Sequence, residues 1–277
     1  MERKYELLTD QSQEFHNTKV YRIRALRDVN DYIKKGDFGG YIESENNLSH
    51  EGTCWVDDAA IVCGKARVKD NAMVYDNPRI YGHAIIADNA VVSGKAYIYD
   101  FALVSENATV FENAHLEDHC HVHGDARVFG TSEISDNANI YGNSAIFDNA
   151  MVYENAIVEK LGVVKENARV RGNCRITGIA TISSNANIEG GIIDDGDISE
   201  HAFIRSNNDY FSLLFIDFDI TAYRSFSDYI YINYNRNDNV HLVFRLEEFE
   251  KNVKKYKRKI RKKYMHIIKI IKSELKK

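Results

Sequence analysis

The stretch AIIADNAVVSGKAYIYDFALVSENATV, residues 84–110, carries a strict six-residue rhythm. A β-branched aliphatic residue recurs at every sixth position from Ile86 to Val110, and an alanine stands two residues before each one. The same spacing holds for 23 positions from Val56 to Ile188, all of which are Val, Ile or Leu. An α-helix repeats every 3.6 residues and a half-buried strand every two, so neither explains a period of six.

A period of six predicts a chain wound into triangular coils, in which each side is one short strand. Each hexad then supplies one large inward aliphatic side chain and one small side chain near a corner. Three hexads close a coil, so residues three hexads apart stack about 4.8 Å from one another. The rhythm slips after Ile188 and resumes two residues out of phase at Ile198 and Ile204. We therefore expect the coils to end near residue 205.

The coil corners have the sequences Asp-Asn, Glu-Asn, Gly-Asn or Gly-Lys, for example Asp88-Asn89. We expect Gly and Asn to adopt positive φ there, because these residues tolerate it best. Asn71, Asn89 and Asn107 follow one another at intervals of three hexads, so their amides are expected to form a ladder along one corner.

The hexad pattern resembles that of the hexapeptide-repeat proteins, whose coils are left-handed. This resemblance, rather than the period, predicts a left-handed parallel β-helix. The segments YRIRALRDV (21–29) and KKGDFGGYIESENNLS (34–49), with the hexads that follow, resemble the YdcK-like proteins. These are bacterial and prophage proteins usually classed as acyltransferases. The resemblance covers residues 1–205 and implies a phage or prophage origin, but it implies no site residue.

Three parts are predicted along the chain. Residues 1–51 form an N-terminal β cap, with strands in KYELL (4–8) and KVYRIRAL (19–26), a polar turn between them, and a tight bend at Gly36, Gly39 and Gly40. Residues 52–205 form the β-helix.

Residues 206–277 form an α+β module. It contains three strands, YFSLLFIDFDI (210–220), DYIYINYN (228–235) and NVHLVF (239–244), and then one or two amphipathic helices with a Lys/Arg-rich outer face. The module resembles C-terminal modules of some phage-borne relatives.

Charge is distributed unevenly along the chain. The net charge is −5, but residues 251–277 carry +12 and the remainder −17. A solvated face, or docking of this tail on the acidic coils, is the favoured interpretation. Binding to nucleic-acid phosphates is less favoured, because no alternation of aromatic and basic residues is evident. The candidate residues of the basic tail are Lys254, Lys255, Lys257, Arg258, Arg261 and Lys262.

Several functional classes are disfavoured by composition. No apolar run approaches the roughly 20 residues of a membrane span, and the first ten residues lack the apolar segment of a signal peptide. We therefore expect a cytoplasmic protein that does not insert in a membrane. The cysteines Cys54, Cys63, Cys120 and Cys174 form no CxxC pair and are expected to be reduced and structural.

Four histidines, His115, His119, His121 and His123, lie close together in the sequence and suggest a metal site or a general base. The coil geometry places His121 and His123 on one outer face, His115 on another, and His119 at the corner between them. Only His115 is expected to have a carboxylate, Glu133, stacked above it. We therefore favour exposed structural histidines over a metal at a subunit seam or a catalytic base, and expect no metal.

Two outward columns on one face of the coils are rich in apolar residues, which predicts an interface with another subunit or partner. Docking of the chain's own tail and simple stiffening of the sheet are the alternatives. A homo-oligomer, trimer or dimer, is expected, as in most hexapeptide-repeat proteins. The candidate interface residues are Trp55, Met73, Tyr75, Val91, Phe111, Phe129 and Phe147.

The sequence thus favours a non-catalytic scaffold or binding protein without a cofactor. Its negative charge suggests an inhibitor that imitates a polyanion and binds a host nucleic-acid-handling or defence complex. The alternative is an acyltransferase that uses acetyl-CoA, as the resemblance implies, with the four histidines as candidate catalytic residues. The 23 hexads contain no inserted loop to cover an acceptor substrate, which weighs against the alternative.

Overall fold

The computed structural model describes residues 3–214, 218–236 and 240–275. The chain divides into two compact units, Met1–Glu154 and Asn155–Lys277. Parallel coils occur in both units, and the second unit also contains an antiparallel sheet and a pair of helices. The predicted mainly β solenoid with an α+β module is confirmed, whereas its left-handedness stays a prediction.

Three strands precede the coils: β1 (Tyr5–Phe15), β2 (Thr18–Ala25) and β3 (Phe38–Ile42). The first two form an antiparallel hairpin, whose turn residues His16 and Asn17 both have positive φ. The strand predicted in KYELL is therefore longer and the polar turn shorter than expected. The third strand pairs in parallel with the first coil, so the cap continues one face of the coils. A short 3₁₀ helix, Glu45–Asn47, follows.

The glycines of the cap have two different structural reasons. Gly36 lies in a turn with φ of +97°, as predicted. The bend predicted at Gly39 and Gly40 is wrong, because both lie inside β3. A Cβ atom on Gly40 would come within 2.7 Å of the Ala60 carbonyl oxygen. These two positions therefore need glycine for close backbone approach rather than for a turn.

The coil strands are two residues long and recur along the chain. In the first unit they are β4 (Trp55–Val56), β5 (Ile61–Val62), β6 (Arg67–Val68), β7 (Met73–Val74), β8 (Arg79–Ile80), β9 (Ile85–Ile86), β10 (Val91–Val92), β11 (Tyr97–Ile98), β12 (Leu103–Val104), β13 (Thr109–Val110), β14 (His115–Leu116), β15 (His121–Val122), β16 (Arg127–Val128), β17 (Glu133–Ile134), β18 (Asn139–Ile140), β19 (Ala145–Ile146) and β20 (Met151–Val152). In the second unit they are β21 (Ile157–Val158), β22 (Val163–Val164), β23 (Arg169–Val170), β24 (Arg175–Ile176), β25 (Thr181–Ile182), β26 (Asn187–Ile188), β27 (Ile192–Ile193), β28 (Asp197–Ile198) and β29 (Phe203–Ile204).

Strands that lie three hexads apart in the sequence pair in parallel, so three hexads close one coil, as predicted. Leu116, for example, lies between Ile98 and Ile134 of the neighbouring coils. In the first unit, face 1 comprises β5, β8, β11, β14, β17 and β20; face 2 comprises β6, β9, β12, β15 and β18; face 3 comprises β4, β7, β10, β13, β16 and β19.

The core of the coils is made by the inward column of aliphatic residues. All 23 predicted positions from Val56 to Ile188 are fully buried. The small residues two positions earlier are buried too, and Cys54, Cys120 and Cys174 occupy that column. Cys63 points outward from the coil but is covered by Phe15 and Val20 of the cap. All four cysteines are free thiols, which fits a structural role.

The corners differ from the expectation in one respect. Positive φ belongs to the first residue of each corner pair, such as Asp88 (56°) or Glu106 (58°), and not to the Asn that follows. The carboxylates of these residues accept a hydrogen bond from the backbone N–H of the equivalent residue one coil later: Asp88 from Glu106 at 3.0 Å, and Glu106 from Gly124 at 2.8 Å. Acidic corner residues thus join one coil to the next.

The predicted amide ladder is confirmed. Asn71 donates to Asn89, and Asn89 donates to Asn107, both at 3.2 Å. Asn107 then donates to Asp125 at 3.0 Å.

The slip after Ile188 consists of two shortened hexads in the second unit. Inward residues follow at Ile193, Ile198 and Ile204, at spacings of five, five and six. The parallel register adapts, because Arg175 pairs with Ile192 and Thr181 with Asp197. The coils therefore continue without a break to β29, which agrees with the predicted end near residue 205.

The second unit ends in an antiparallel sheet and two helices. After a 3₁₀ helix (Asn207–Asp209), four strands pair in sequence order, rather than the three that were predicted. Residues 215–217 of the first predicted strand, Asn239 of the last, and Lys276 and Lys277 of the basic tail lie outside the described residues. The elements are β30 (Tyr210–Leu214), β31 (Phe218–Arg224), β32 (Ile230–Arg236), β33 (Val240–Arg245), α1 (Leu246–Val253) and α2 (Arg258–Glu274).

The helices are amphipathic, as predicted, and pack on this sheet. Phe249 and Val253 of α1 and Ile268 and Ile271 of α2 form one buried cluster with Ile220 of β31. Among the described residues, no helix is both long and apolar enough to cross a membrane.

Candidate functional site

His121 and His123 flank the inward residue Val122 of β15 and therefore both point out from face 2. Their rings stack with centroids 4.1 Å apart. The Nε2 atom of His121 lies 2.9 Å from Ser105 Oγ, and the Nε2 atom of His123 lies 3.1 Å from Asn139 Oδ1. Both imidazoles are thus held by polar side chains of the neighbouring coils.

Glu133 stacks in register on His115, as predicted, but a second carboxylate approaches His123 from outside that register. Glu106, at the corner one coil below, places its Oε1 atom 3.7 Å from Nδ1 of His123. The residue three hexads before His123 is Ser105, and Glu106 is the residue after it. A comparison of residues exactly three hexads apart therefore does not predict this contact. At 3.7 Å the two atoms are too far apart for a hydrogen bond, so the contact is an electrostatic one that strengthens when His123 is protonated.

Burial of His121 lowers the pKa of its imidazole to about 4, and the neighbouring His123 acts in the same direction. The ring is therefore neutral at pH 7. Among the described residues, no group of three or more His, Cys, Asp or Glu side chains is arranged to hold a metal ion.

We expect acid to destabilise the fold through His121. Its folded pKa lies below the unfolded value of 6.5, so the unfolded chain binds the extra proton, and stability falls as the pH decreases from 6.5 towards 4. Allowing for solvent screening, the loss between pH 7 and pH 5 should be about 1 kcal/mol. Urea unfolding at both pH values should show a smaller loss for His121→Gln. An equal loss in the variant would assign the acid sensitivity to other groups.

His115 and His119 lie apart from this pair. His115 points out from face 1, between Tyr97 and Glu133 in register, and its ring lies 5.1 Å from that of Tyr97. His119 lies at the corner, as predicted, and stacks on Phe101 with centroids 4.8 Å apart. The structure therefore does not bring the four histidines together into one site.

Phe111, Phe129 and Phe147, here called the phenylalanine column, stack on successive coils at the edge of face 3. Their centroids are 4.7 Å and 4.9 Å apart, and their planes are nearly parallel. The guanidinium of Arg127 lies 5.5 Å from the centroids of both Phe111 and Phe129. All three rings are half-buried, so each leaves part of its apolar surface exposed to solvent.

The remaining candidate interface residues divide into two groups. Tyr75 is 38% exposed, and Met73 and Val91 are half-buried. The prediction that Trp55 belongs to an exposed stripe is wrong, because its side chain is fully buried. Tyr5 of β1 lies edge-on against it, with ring centroids 6.4 Å apart. Trp55 therefore anchors the N-terminal cap.

The basic tail is exposed. Lys254, Lys255 and Lys257 lie in the connection between α1 and α2, and the other three candidates lie in the first turns of α2. The helices are held to the sheet by their apolar faces. Docking of the basic tail on the acidic coils, one of the two interpretations favoured from the sequence, is therefore not needed to hold the helices in place.

No protein-family model matches this chain, and a search of curated proteins finds no detectable relative. The likeness to the YdcK-like proteins stays a prediction.

Proposed function

We propose that this protein is a non-catalytic binding scaffold that self-associates through the phenylalanine column. The supporting observation is the stack of three half-buried rings with Arg127 beside it. Aromatic residues and arginine are the types enriched at the centres of protein interfaces. Short corners join the coil strands of the first unit, so no inserted loop of these coils covers the face.

The column suits contact with a second copy of the same chain. Phe129 is its centre, and Phe111 and Phe147 lie one coil to either side. A two-fold axis through Phe129 would place Phe111 of one copy against Phe147 of the other, which makes the surface self-complementary.

Replacing Phe129 with glutamate is expected to convert the oligomer to a single chain of 31.8 kDa, because a carboxylate buried in an apolar seam is costly. Light scattering measures the mass directly. Phe101→Glu is the matched control, since Phe101 also lies in an aromatic stack but on another corner and is 52% exposed. A single-chain wild-type protein, or an unchanged mass for Phe129→Glu, would refute self-association through this column.

The suggested target, a host nucleic-acid-handling or defence complex, is supported by the acidic corners. Asp100, Glu106, Glu112 and Asp118 occupy four successive corners. Across these four corners, three corners per coil of about 4.8 Å place one carboxylate every ~1.6 Å, close to the ~1.7 Å per charge of duplex DNA. Gly94 and Gly124 bound this acidic run. A host protein bound in this way should elute with salt and be displaced by duplex DNA. Binding that is insensitive to both salt and duplex DNA would refute the proposal that the acidic corners imitate a nucleic acid.

The second candidate function is an acyltransferase using acetyl-CoA, which the His123–Glu106 contact favours because a nearby carboxylate stabilises the protonated form of a general base. It requires acetyl-CoA binding that calorimetry can detect, and activity that is lost in His123→Ala. If calorimetry detects no heat of acetyl-CoA binding, the acyltransferase function is excluded and the binding scaffold is the remaining candidate.

A further inference from the structure

An aromatic pocket lies in the C-terminal module between β32, β33 and the two helices. Its volume is about 220 Å³, smaller than a pocket for a drug-sized ligand and suited to one planar ring. Tyr256 and Leu242 are 48% and 43% exposed at the pocket. The aromatic lining residues are Tyr234, Phe244, Phe249, Tyr256 and Tyr264.

Polar groups accompany these rings. The hydroxyls of Tyr234 and Tyr264 lie 3.2 Å apart. Asn252 lines the pocket, and its Oδ1 atom accepts a hydrogen bond from Nζ of Lys255 at 3.2 Å. The pocket thus combines ring faces for stacking with an amide and an ammonium group that can donate hydrogen bonds.

The chain at the pocket is strongly basic. Residues 254–259 have the sequence KKYKRK, and no acidic residue occurs between residues 251 and 273. Lys254, Lys255, Lys257 and Arg258 are all exposed. Tyr256 is the single aromatic residue of this segment, and basic residues stand on both sides of it.

We propose that this pocket binds single-stranded nucleic acid, with one base stacked against Tyr256 and phosphates contacted by Lys255, Lys257 and Arg258. A nucleic-acid strand alternates planar bases with anionic phosphates, and the segment offers an aromatic pocket flanked by cations. An acidic protein segment also carries negative charge, but it has no regular series of planar rings. The inference concerns a different surface and ligand class from the self-association above, so either can fail alone.

The test is fluorescence anisotropy with a labelled oligo(dT) of about 15 nucleotides. Tyr256→Ala is expected to weaken binding roughly tenfold without changing the salt dependence, since stacking involves no counterion. Tyr256→Phe keeps the ring and should bind like the wild type. Lys255→Gln/Lys257→Gln/Arg258→Gln removes three phosphate contacts and should reduce the slope of log K against log salt by about 2.

The matched control is Lys35→Gln/Lys65→Gln/Lys95→Gln, which removes the same charge from three exposed lysines of the first unit. Its slope should equal that of the wild type. Four results would overturn the proposal: no binding at low salt, an equal loss of slope in the control, full affinity in Tyr256→Ala, or displacement by polyglutamate as effective as by unlabelled oligo(dT). The last result would assign the site to an acidic protein. Circular dichroism verifies that each variant is folded.

Discussion

Replacing Gly40 with alanine is expected to lower the free energy of unfolding by about 3 kcal/mol and to release the N-terminal cap. The new Cβ atom would lie 2.7 Å from the Ala60 carbonyl oxygen and 2.8 Å from that of Asp57. Neither oxygen can move freely, because both accept backbone hydrogen bonds. The Ala60 oxygen accepts one from Tyr41 of β3 at 2.9 Å, and the Asp57 oxygen accepts one from Ala60 at 3.1 Å. The strand must therefore shift away, and the cover over Trp55 opens.

Urea unfolding measures the loss of stability in Gly40→Ala, and limited proteolysis reports whether residues 1–50 are cleaved early. Gly36→Ala is the matched control: its Cβ meets nothing within 4 Å, and its φ of +97° should cost only about 1 kcal/mol. If both variants lose the same small amount, close approach at Gly40 does not determine the stability of the cap.

Replacing Leu116 with alanine is expected to cost about 3 kcal/mol, because its fully buried side chain leaves a cavity between two coils. The adjacent His115 is exposed, so His115→Ala should change stability by less than about 0.5 kcal/mol. Chemical denaturation of both variants tests which side chains point inward. Equal effects would contradict the assignment of the inward column.

A double-mutant cycle extends this test to the vertical neighbours. Ile98 and Leu116 are paired residues on adjacent coils, whereas Ile80 is two coils from Leu116. Alanine substitutions at Ile98 and Leu116 should couple by at least about 0.5 kcal/mol, and those at Ile80 and Leu116 should be additive. Coupling of Ile80 as strong as that of Ile98 would be incompatible with one coil per three hexads.

The inward residues could be predicted from sequence because a single period relates every hexad to the next. Val56 and Ile188 obey the same rule although they stand at opposite ends of the series of hexads. Positive φ at the acidic corner residues could not be predicted from backbone preference alone. Their carboxylates accept hydrogen bonds from the next coil, and this contact stabilises a conformation that few residues other than Gly, Asn and Asp adopt.

The structure of the cap and of the surface sites depends on contacts between residues that the six-residue period does not relate to one another. Trp55 occupies an outward position of the hexad, yet β1 and β3 cover it. Glu106 reaches His123 diagonally across coils. The aromatic pocket assembles residues from β32, β33, α1 and α2, and its signal in the sequence is Tyr256 within the basic run KKYKRK.

The register between coils determines how this protein can change in length during evolution. Duplication or loss of one three-hexad segment would leave each remaining side chain on its original face, with new vertical neighbours of the same type. A change of a single hexad would also keep the core, but it would move every later outward residue to a different face. Insertion of a whole coil therefore keeps each outward residue on its face. Insertion of one hexad would reorganise every binding surface that follows it in the chain.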